Sequence, residues 1–244
     1  MNVVDMILAA LPTPDARVLD VRVGPFWTVV WTDHGAGLAS TQSDAHEPHG
    51  TSAIRWAGQL TDHSALDLAG LLRSESLMEA AIGMATVNAI SPVPEDRLTD
   101  RNAAAEIIER GVGRRVAIVG HFPFVPEVRV AVGHLDVLEL SPRDGDLPAN
   151  SASEIIPHAD VVAISGTTLV NGTFDGLIHL CRPGAYVIVL GPTTPLSPVL
   201  FDCGVDLIAG TVVVNPKEAL QLAGQGAIFR QMRGVRLVTM ARSV

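Results

Sequence analysis

The sequence predicts an α/β protein: a small α+β domain followed by a Rossmann-like parallel sheet covered by helices. Three observations carry that expectation. Near-continuous apolar runs recur every ~20 to 30 residues through the second half, with helix-length segments between them, the pattern of strands buried on both faces. Glycine-threonine loops follow directly on two of those runs. The first third has a different rhythm, three short β-rich runs separated by Gly, Pro and Asp turns and followed by helices.

Val3 to Leu11 reads as a short amphipathic helix stopped by Pro12 and Pro14. A meander of three strands follows, Val18 to Val23, Phe26 to Trp31 and Ala36 to Thr41, turned by Gly24-Pro25 and Asp33-His34-Gly35. Asp44 to Gly58 is polar and irregular. Helices are expected over Ala65 to Arg73 and Leu77 to Ile90, the second opened by Ser76 and Glu79 at capping-box spacing. Ser91-Pro92-Val93-Pro94 ends this unit, which divides the chain into residues 1–94 and 95–244.

In the second half Thr99 is expected to cap a helix running to Arg110, with Gly111 ending it. Apolar strands then begin near Val116, Leu135, Val161, Ala185 and Val205, with a late one at Leu237. Phe174 to Cys181 reads as a helix that Thr173 can cap. Asn215-Pro216 starts another, with Asn as cap and Pro at the first helical position.

Composition removes several function classes. The 244 residues suffice for two modest domains, each with its own core, and 48% are apolar while only 4% are aromatic. Val, Ala, Leu and Ile must therefore build the interior. No apolar run approaches the ~20 residues of a membrane span, and no secretory signal pattern is visible. The two cysteines, Cys181 and Cys203, form neither a zinc-type cluster nor a disulfide framework. A cytoplasmic protein is expected, without a membrane partner. The net charge of −9 argues against nucleic acid, which needs a basic stripe. Assembly with further copies of the chain is compatible with all of this.

The candidate site is a set of strand-end loops, because ligands of open parallel sheets bind at the carboxyl ends of the strands. Gly120-His121-Phe122-Pro123 follows the first strand of the second half. Its single glycine and Pro123 do not suit a dinucleotide pyrophosphate, which calls for three spaced glycines. His121 can donate, accept, stack or ligate a metal. Glu139 ends the next strand, close to the ~20-residue offset of an acid that holds ribose hydroxyls. Ser165-Gly166-Thr167-Thr168 and Asn171-Gly172-Thr173 form one small polar stretch, and Gly191-Pro192-Thr193-Thr194-Pro195 a proline-stiffened second one. In the first domain His46 and His49 flank Pro48, which bars a regular helix from presenting both on one face; a solvated loop is expected there.

At these loops the sequence resembles a family of bacterial and archaeal heavy-metal chelation proteins. The resemblance runs over nearly the whole chain, through Gly83-Met84-Ala85-Thr86-Val87-Asn88-Ala89, Val119-Gly120-His121-Phe122-Pro123, Ser165 to Thr173 and Leu190 to Pro195. It implies an enolase-like amino-terminal domain, a Rossmann-like carboxy-terminal domain and a site in the cleft between them. On that basis Asn88 becomes the first domain's contribution.

The function expected is the binding, with or without processing, of a small polar or metal-chelating ligand in that cleft. Gly120, His121, Phe122, Glu139, Ser165, Gly166, Thr167, Thr168, Asn171, Thr173, Gly191, Pro192, Thr193 and Thr194 would line the site with Asn88, and His121 is the candidate metal ligand. A metal ion or metal chelate is the expected cofactor. The alternative is a transferase or oxidoreductase with a nucleoside cofactor of the S-adenosylmethionine type, anchored by Glu139.

Overall fold

The computed structural model describes residues 2–13, 15–42 and 54–243. The first unit begins with α1 (Val3–Ala9), capped by the Asn2 side chain on the Asp5 N–H. An antiparallel sheet follows in the order β1 (Val18–Val23), β2 (Trp27–Thr32) and β3 (Ala36–Ser40). The period of two along a strand decides what each face covers. Val30 and Ala39 join one apolar cluster, while their chain neighbours Val29 and Leu38 join another.

Helix α2 (Ala65–Gly70) passes through a 3-10 turn, Leu71–Arg73, before α3 (Leu77–Ile90). α3 is apolar on every side, and nearly all of it is buried. A helix without a polar face belongs inside a core. Small residues let it lie close to its neighbours. A Cβ on Gly37 would fall 2.1 Å from the Ala85 carbonyl oxygen, and one on Gly83 2.2 Å from the Leu72 nitrogen. Ser76 caps the Glu79 N–H, but the Glu79 carboxylate turns away from the expected reciprocal bond. It accepts instead from the Arg55 N–H and guanidinium and from the Ser74 hydroxyl.

The second unit opens with α4 (Ala103–Gly111). Its cap is Asn102, which accepts from the Ala104 and Ala105 N–H groups. Thr99, the expected cap, lies outside the helix and pairs with Thr239 through both backbone and hydroxyl. Asn is as good a cap as Thr, so spacing alone could not choose between them. The sheet then builds through β4 (Arg115–Val119), α5 (Val125–Ala131), β5 (His134–Glu139), β6 (Leu147–Pro148) and α6 (Ala152–Ile155). It continues with β7 (Val161–Ser165), α7 (Thr167–Val170), α8 (Phe174–Leu180), β8 (Tyr186–Leu190) and α9 (Val199–Asp202). It ends with β9 (Leu207–Val213), α10 (Pro216–Gly224) and β10 (Val235–Ala241).

The strand order is β10-β9-β8-β7-β4-β5-β6. All neighbours are parallel except β10, which runs antiparallel to β9 at one edge of the expected parallel sheet. The reason is local. β10 follows β9 through α10 and a 3-10 turn, Phe229–Gln231, that bring the chain back along β9 instead of crossing the sheet. In α10, Asn215 caps the Glu218 N–H and Pro216 takes the first turn, as the sequence indicates. The helix then lays Ala219, Leu220 and Ala223 on the Val29 and Leu38 face of the small sheet. Gly24 has no side chain because Ala223 leaves no room: a Cβ there would meet its carbonyl oxygen at 2.0 Å.

Candidate functional site

The chain leaves β4 toward β5 on one side and leaves β7 toward β8 on the other. Between such strands a crevice opens at the carboxyl edge, the switch point where open sheets bind ligands. The two loops that meet there are those starting at Gly120 and Ser165. They approach closely, since a Cβ on Gly120 would lie 3.1 Å from that of Ser165. Gly120 also has φ 102°, a left-handed value that suits glycine.

Two cavities share this edge, and Phe122, Ser165 and Thr167 line both. The first, of about 650 Å³, takes Gly120, His121, Glu139, Thr168, Asn171 and Thr173 as further walls. The second, of about 570 Å³, takes Gly191, Pro192 and Thr193. Phe122 is the partition. Its ring would meet a Cβ on Gly120 at 3.4 Å and one on Gly191 at 3.6 Å, and it stacks on Phe124 with centroids 5.1 Å apart.

His121 is fixed at two points. Its backbone N–H donates to Glu139 Oε2 at 2.8 Å, and its Nδ1 lies 2.8 and 3.0 Å from the two Asp146 carboxylate oxygens. The Asp146 side chain is 1% exposed and the His121 side chain 19%. Burial works against the charge on Asp146, but the Arg143 N–H, the His121 ring and the Arg129 charge together outweigh it and hold the carboxyl below its usual range. Glu139 spends its other oxygen on the Leu140 N–H. Its carboxylate therefore pins the turn, and only the remaining lone pairs face any ribose of the nucleoside alternative.

The hydroxyls are ordered among themselves. Ser165 Oγ and Thr167 Oγ1 are 2.8 Å apart, Thr168 Oγ1 donates to the Ser165 carbonyl, and Thr173 Oγ1 donates to Asn171 Oδ1. Thr173 stands at the start of α8, but its side chain makes no cap bond.

Three of the expected site residues line neither cavity. Gly166 is a close-approach position, where a Cβ would fall 2.4 Å from Thr194 Oγ1. Thr194 is buried, and that hydroxyl has no partner among the described residues. Asn88 donates to the Leu38 and Thr193 carbonyls, and Ser40 N–H donates to Thr193 Oγ1. Asn88 thus ties the first unit to the proline-stiffened loop and lines a separate hollow of about 450 Å³ with Thr211.

Sequence reasoning missed Asp146, Asn150, Ser153, Trp27 and Phe229, all drawn in from other elements. One signal was available for the aromatics. The chain has three tryptophans, one tyrosine and six phenylalanines, and four of these, Trp27, Phe122, Phe124 and Phe229, stand on one cavity wall. His46 and His49 lie outside the described residues. Among the described residues no group of three His, Cys, Asp or Glu side chains converges as a metal cluster, and no helix is long and apolar enough to cross a membrane. Burial pushes the Cys181 thiol up to about 11 and raises that of Cys203, which leaves both as poor nucleophiles.

A pH dependence follows from the carboxylates. Burial opposes the charge of Glu79, but bonds from Arg55 and Ser74 bring its carboxyl below the usual range; the Arg115 N–H does most to lower Asp160. With Asp146 these groups titrate lower folded than unfolded. Their stabilisation is complete above the unfolded values near ~4 and is lost as pH falls through the lowered ones. The melting temperature is therefore expected to hold from neutrality to about pH 5 and to fall below ~4, with a shallower acid limb in Glu79→Gln. A melting temperature that rises on acidification would contradict these pairings.

Comparison with known proteins extends the geometry. A family model described as "Putative heavy-metal chelation", DUF364, matches residues 103–241, and a second with the same description, DUF4213, matches residues 5–91. An uncharacterized protein of Methanocaldococcus jannaschii is 28% identical over 231 residues, covering 88% of this chain and 87% of that one. A DUF364 protein of unknown function from Desulfitobacterium hafniense superposes with a TM-score of 0.85 at 25% identity, covering 98% of both chains. Another from Pyrococcus horikoshii gives 0.78 at 19% identity with the same coverage.

Proposed function

The chain belongs to the DUF364 heavy-metal chelation family, and from that premise we propose that it binds a small metal-chelating molecule at the switch-point edge of its large sheet. The observation that carries this reading is the pair of cavities meeting at Phe122, Ser165 and Thr167. One half sets His121, Asn171 and the threonine hydroxyls among apolar walls that include Leu138, Leu177 and Leu180. The other is walled by four aromatic rings, and the indole N–H of Trp27 has no acceptor among the described residues. A flat, polar-edged ligand matches both halves, because it gives the rings a face and the donors an acceptor. His121 is the side chain suited to touch the metal of such a chelate, since imidazole is a general ligand for Zn, Cu, Fe and Ni.

In this reading the division into residues 1–94 and 95–244 has a purpose. The first domain supplies Trp27 and Ser40 to the aromatic cavity and uses Asn88 to hold the 191–195 loop in place. The protein acts in the cytoplasm on a small molecule, without nucleic acid or membrane.

Native mass spectrometry of the full-length protein as purified tests the proposal. A bound species of chelate mass is expected in the wild type. His121→Ala is expected to lose at least tenfold in occupancy, about 1.4 kcal/mol, as removal of a directed polar contact does. Full retention in that variant would move the site elsewhere.

A further inference from the structure

One stretch of the large sheet lacks a neighbour on one side. β8 pairs with β9 over Leu207 to Ala209 alone, while β10 takes the other side of β9 along its whole length. The Gly191 N–H donates to the Ala209 carbonyl, so Ala209 turns its backbone groups toward β8. Backbone groups alternate in direction along a strand. Thr211 and Val213 therefore present their N–H and C=O to that same side, beyond the end of β8. These groups find no backbone partner among the described residues. Both residues are buried, where unpaired peptide groups are costly. By contrast, the outer edge of β10 is closed at Thr239 by Thr99.

The separate hollow of about 450 Å³ runs along this free edge. Thr211, Val212 and Val213 all line it, and successive side chains leave opposite faces of a strand, so the hollow lies at the edge of β9 rather than over one face. Across it stand the end of α3, the turn before β3 and Leu196. It shares no wall residue with either switch-point cavity. Two of its wall residues carry a buried side-chain oxygen without a partner, Asn88 Oδ1 and Thr211 Oγ1, out of four such polar atoms among the described residues. Thr211 is 8% exposed. The Asn88 amide nitrogen donates to two carbonyls, at 2.8 and 3.1 Å, which turns its oxygen away from them. The walls include no Asp, Glu, Lys or Arg, and His34, their one titratable side chain, is exposed.

We propose that this hollow is a second binding site, for a small uncharged peptide-like molecule that adds to the free edge of β9 as a short strand. One residue of the ligand gives its N–H to the Thr211 carbonyl and takes the Val213 N–H on its own carbonyl, the pattern of a parallel ladder. A further N–H of the ligand meets Asn88 Oδ1. Its apolar side chain packs among Ile90, Val93 and Leu196. A charged ligand finds no counter-charge on these walls and loses its hydration on entry. The site involves no metal, and it stands whether or not the switch-point cavities take a chelate.

The test is NMR of the full-length protein, labelled with nitrogen-15 and carbon-13, with acetyl-valine N-methylamide as the probe. A saturable downfield shift of the Val213 amide proton is expected, while those of Gly210 and Val212, already turned toward β10, hold still. Contacts between the probe's methyl groups and those of Ile90, Val93 and Leu196 are expected in the same complex. Acetyl-valine, which carries a carboxylate in place of the second amide, is expected to bind at least about tenfold more weakly. No saturable shift at Val213, or shifts confined to the Gly120 and Thr167 loops, overturns the proposal. Equal binding of the carboxylate overturns the uncharged ligand class. A longer acetylated valine-threonine hexapeptide amide is expected to gain less than about threefold over the probe; a gain of tenfold or more would make this edge a docking place for a protein strand and end the small-molecule reading. None of these outcomes bears on the chelate occupancy read by mass spectrometry, so the two proposals fail separately.

Discussion

Truncating Phe174 to alanine is expected to cost about 3–5 kcal/mol, the range for deleting a fully buried aromatic ring. Phe174 is 1% exposed and is the largest fully buried side chain among the described residues. It starts α8 and joins the main core with Ile156, Ile164 and Leu169. An interior packed at crystal density cannot close over so large a void, so the lost contacts add to the transfer term. The damage also reaches the site, because the Asn171 to Thr173 turn that lines the His121 cavity leads directly into this helix. Urea unfolding should show a lower midpoint with an unchanged slope. A loss below ~1 kcal/mol would mean that the core repacks around the gap.

The second large effect comes from adding a single methyl group. Gly83→Ala should gain up to ~1 kcal/mol of helix propensity. The structure reverses that sign. A Cβ at Gly83 would lie 2.2 Å from the Leu72 nitrogen and 2.7 Å from its Cα, and backbone atoms cannot rotate away as a side chain can. We expect a net loss near the top of the ~1–3 kcal/mol range for overpacking, with α3 pushed off the Leu71–Arg73 turn. Gly70→Ala is the control. It also lies in a helix, but nothing stands within 4 Å of its added Cβ, so it should stabilise by about 0.5–1 kcal/mol. Equal effects at the two positions would refute the packing argument.

These two substitutions mark the limit of what local pattern reveals. Position 83 reads as an ordinary weak spot in a helix, and only the neighbouring turn makes glycine obligatory. Thr99 is a similar case. It is a sound cap by spacing, yet it pairs with Thr239, a residue 140 positions away that no local rule connects to it. The switch-point loops were legible because each follows its own strand. Gly120, His121, Ser165 and Thr167 could be placed from runs of a few residues, and the structure brings them to one edge. Asn88 was placed through the family resemblance; its amide nitrogen donates to the Leu38 and Thr193 carbonyls, while its buried Oδ1 has no partner among the described residues.

By itself the sequence determined the α/β class, every strand of the large sheet except the two-residue β6, and the loops at their carboxyl ends, because those features depend on hydrophobic period and turn chemistry within a short window. Only the tertiary structure decided that β10 runs antiparallel, that α10 covers the small sheet and that Asp146 holds the ring of His121. These are pairings between distant segments. They are chosen by which surfaces fit and which polar groups find partners once the chain is packed, and that choice leaves no periodic trace in the residues that make it.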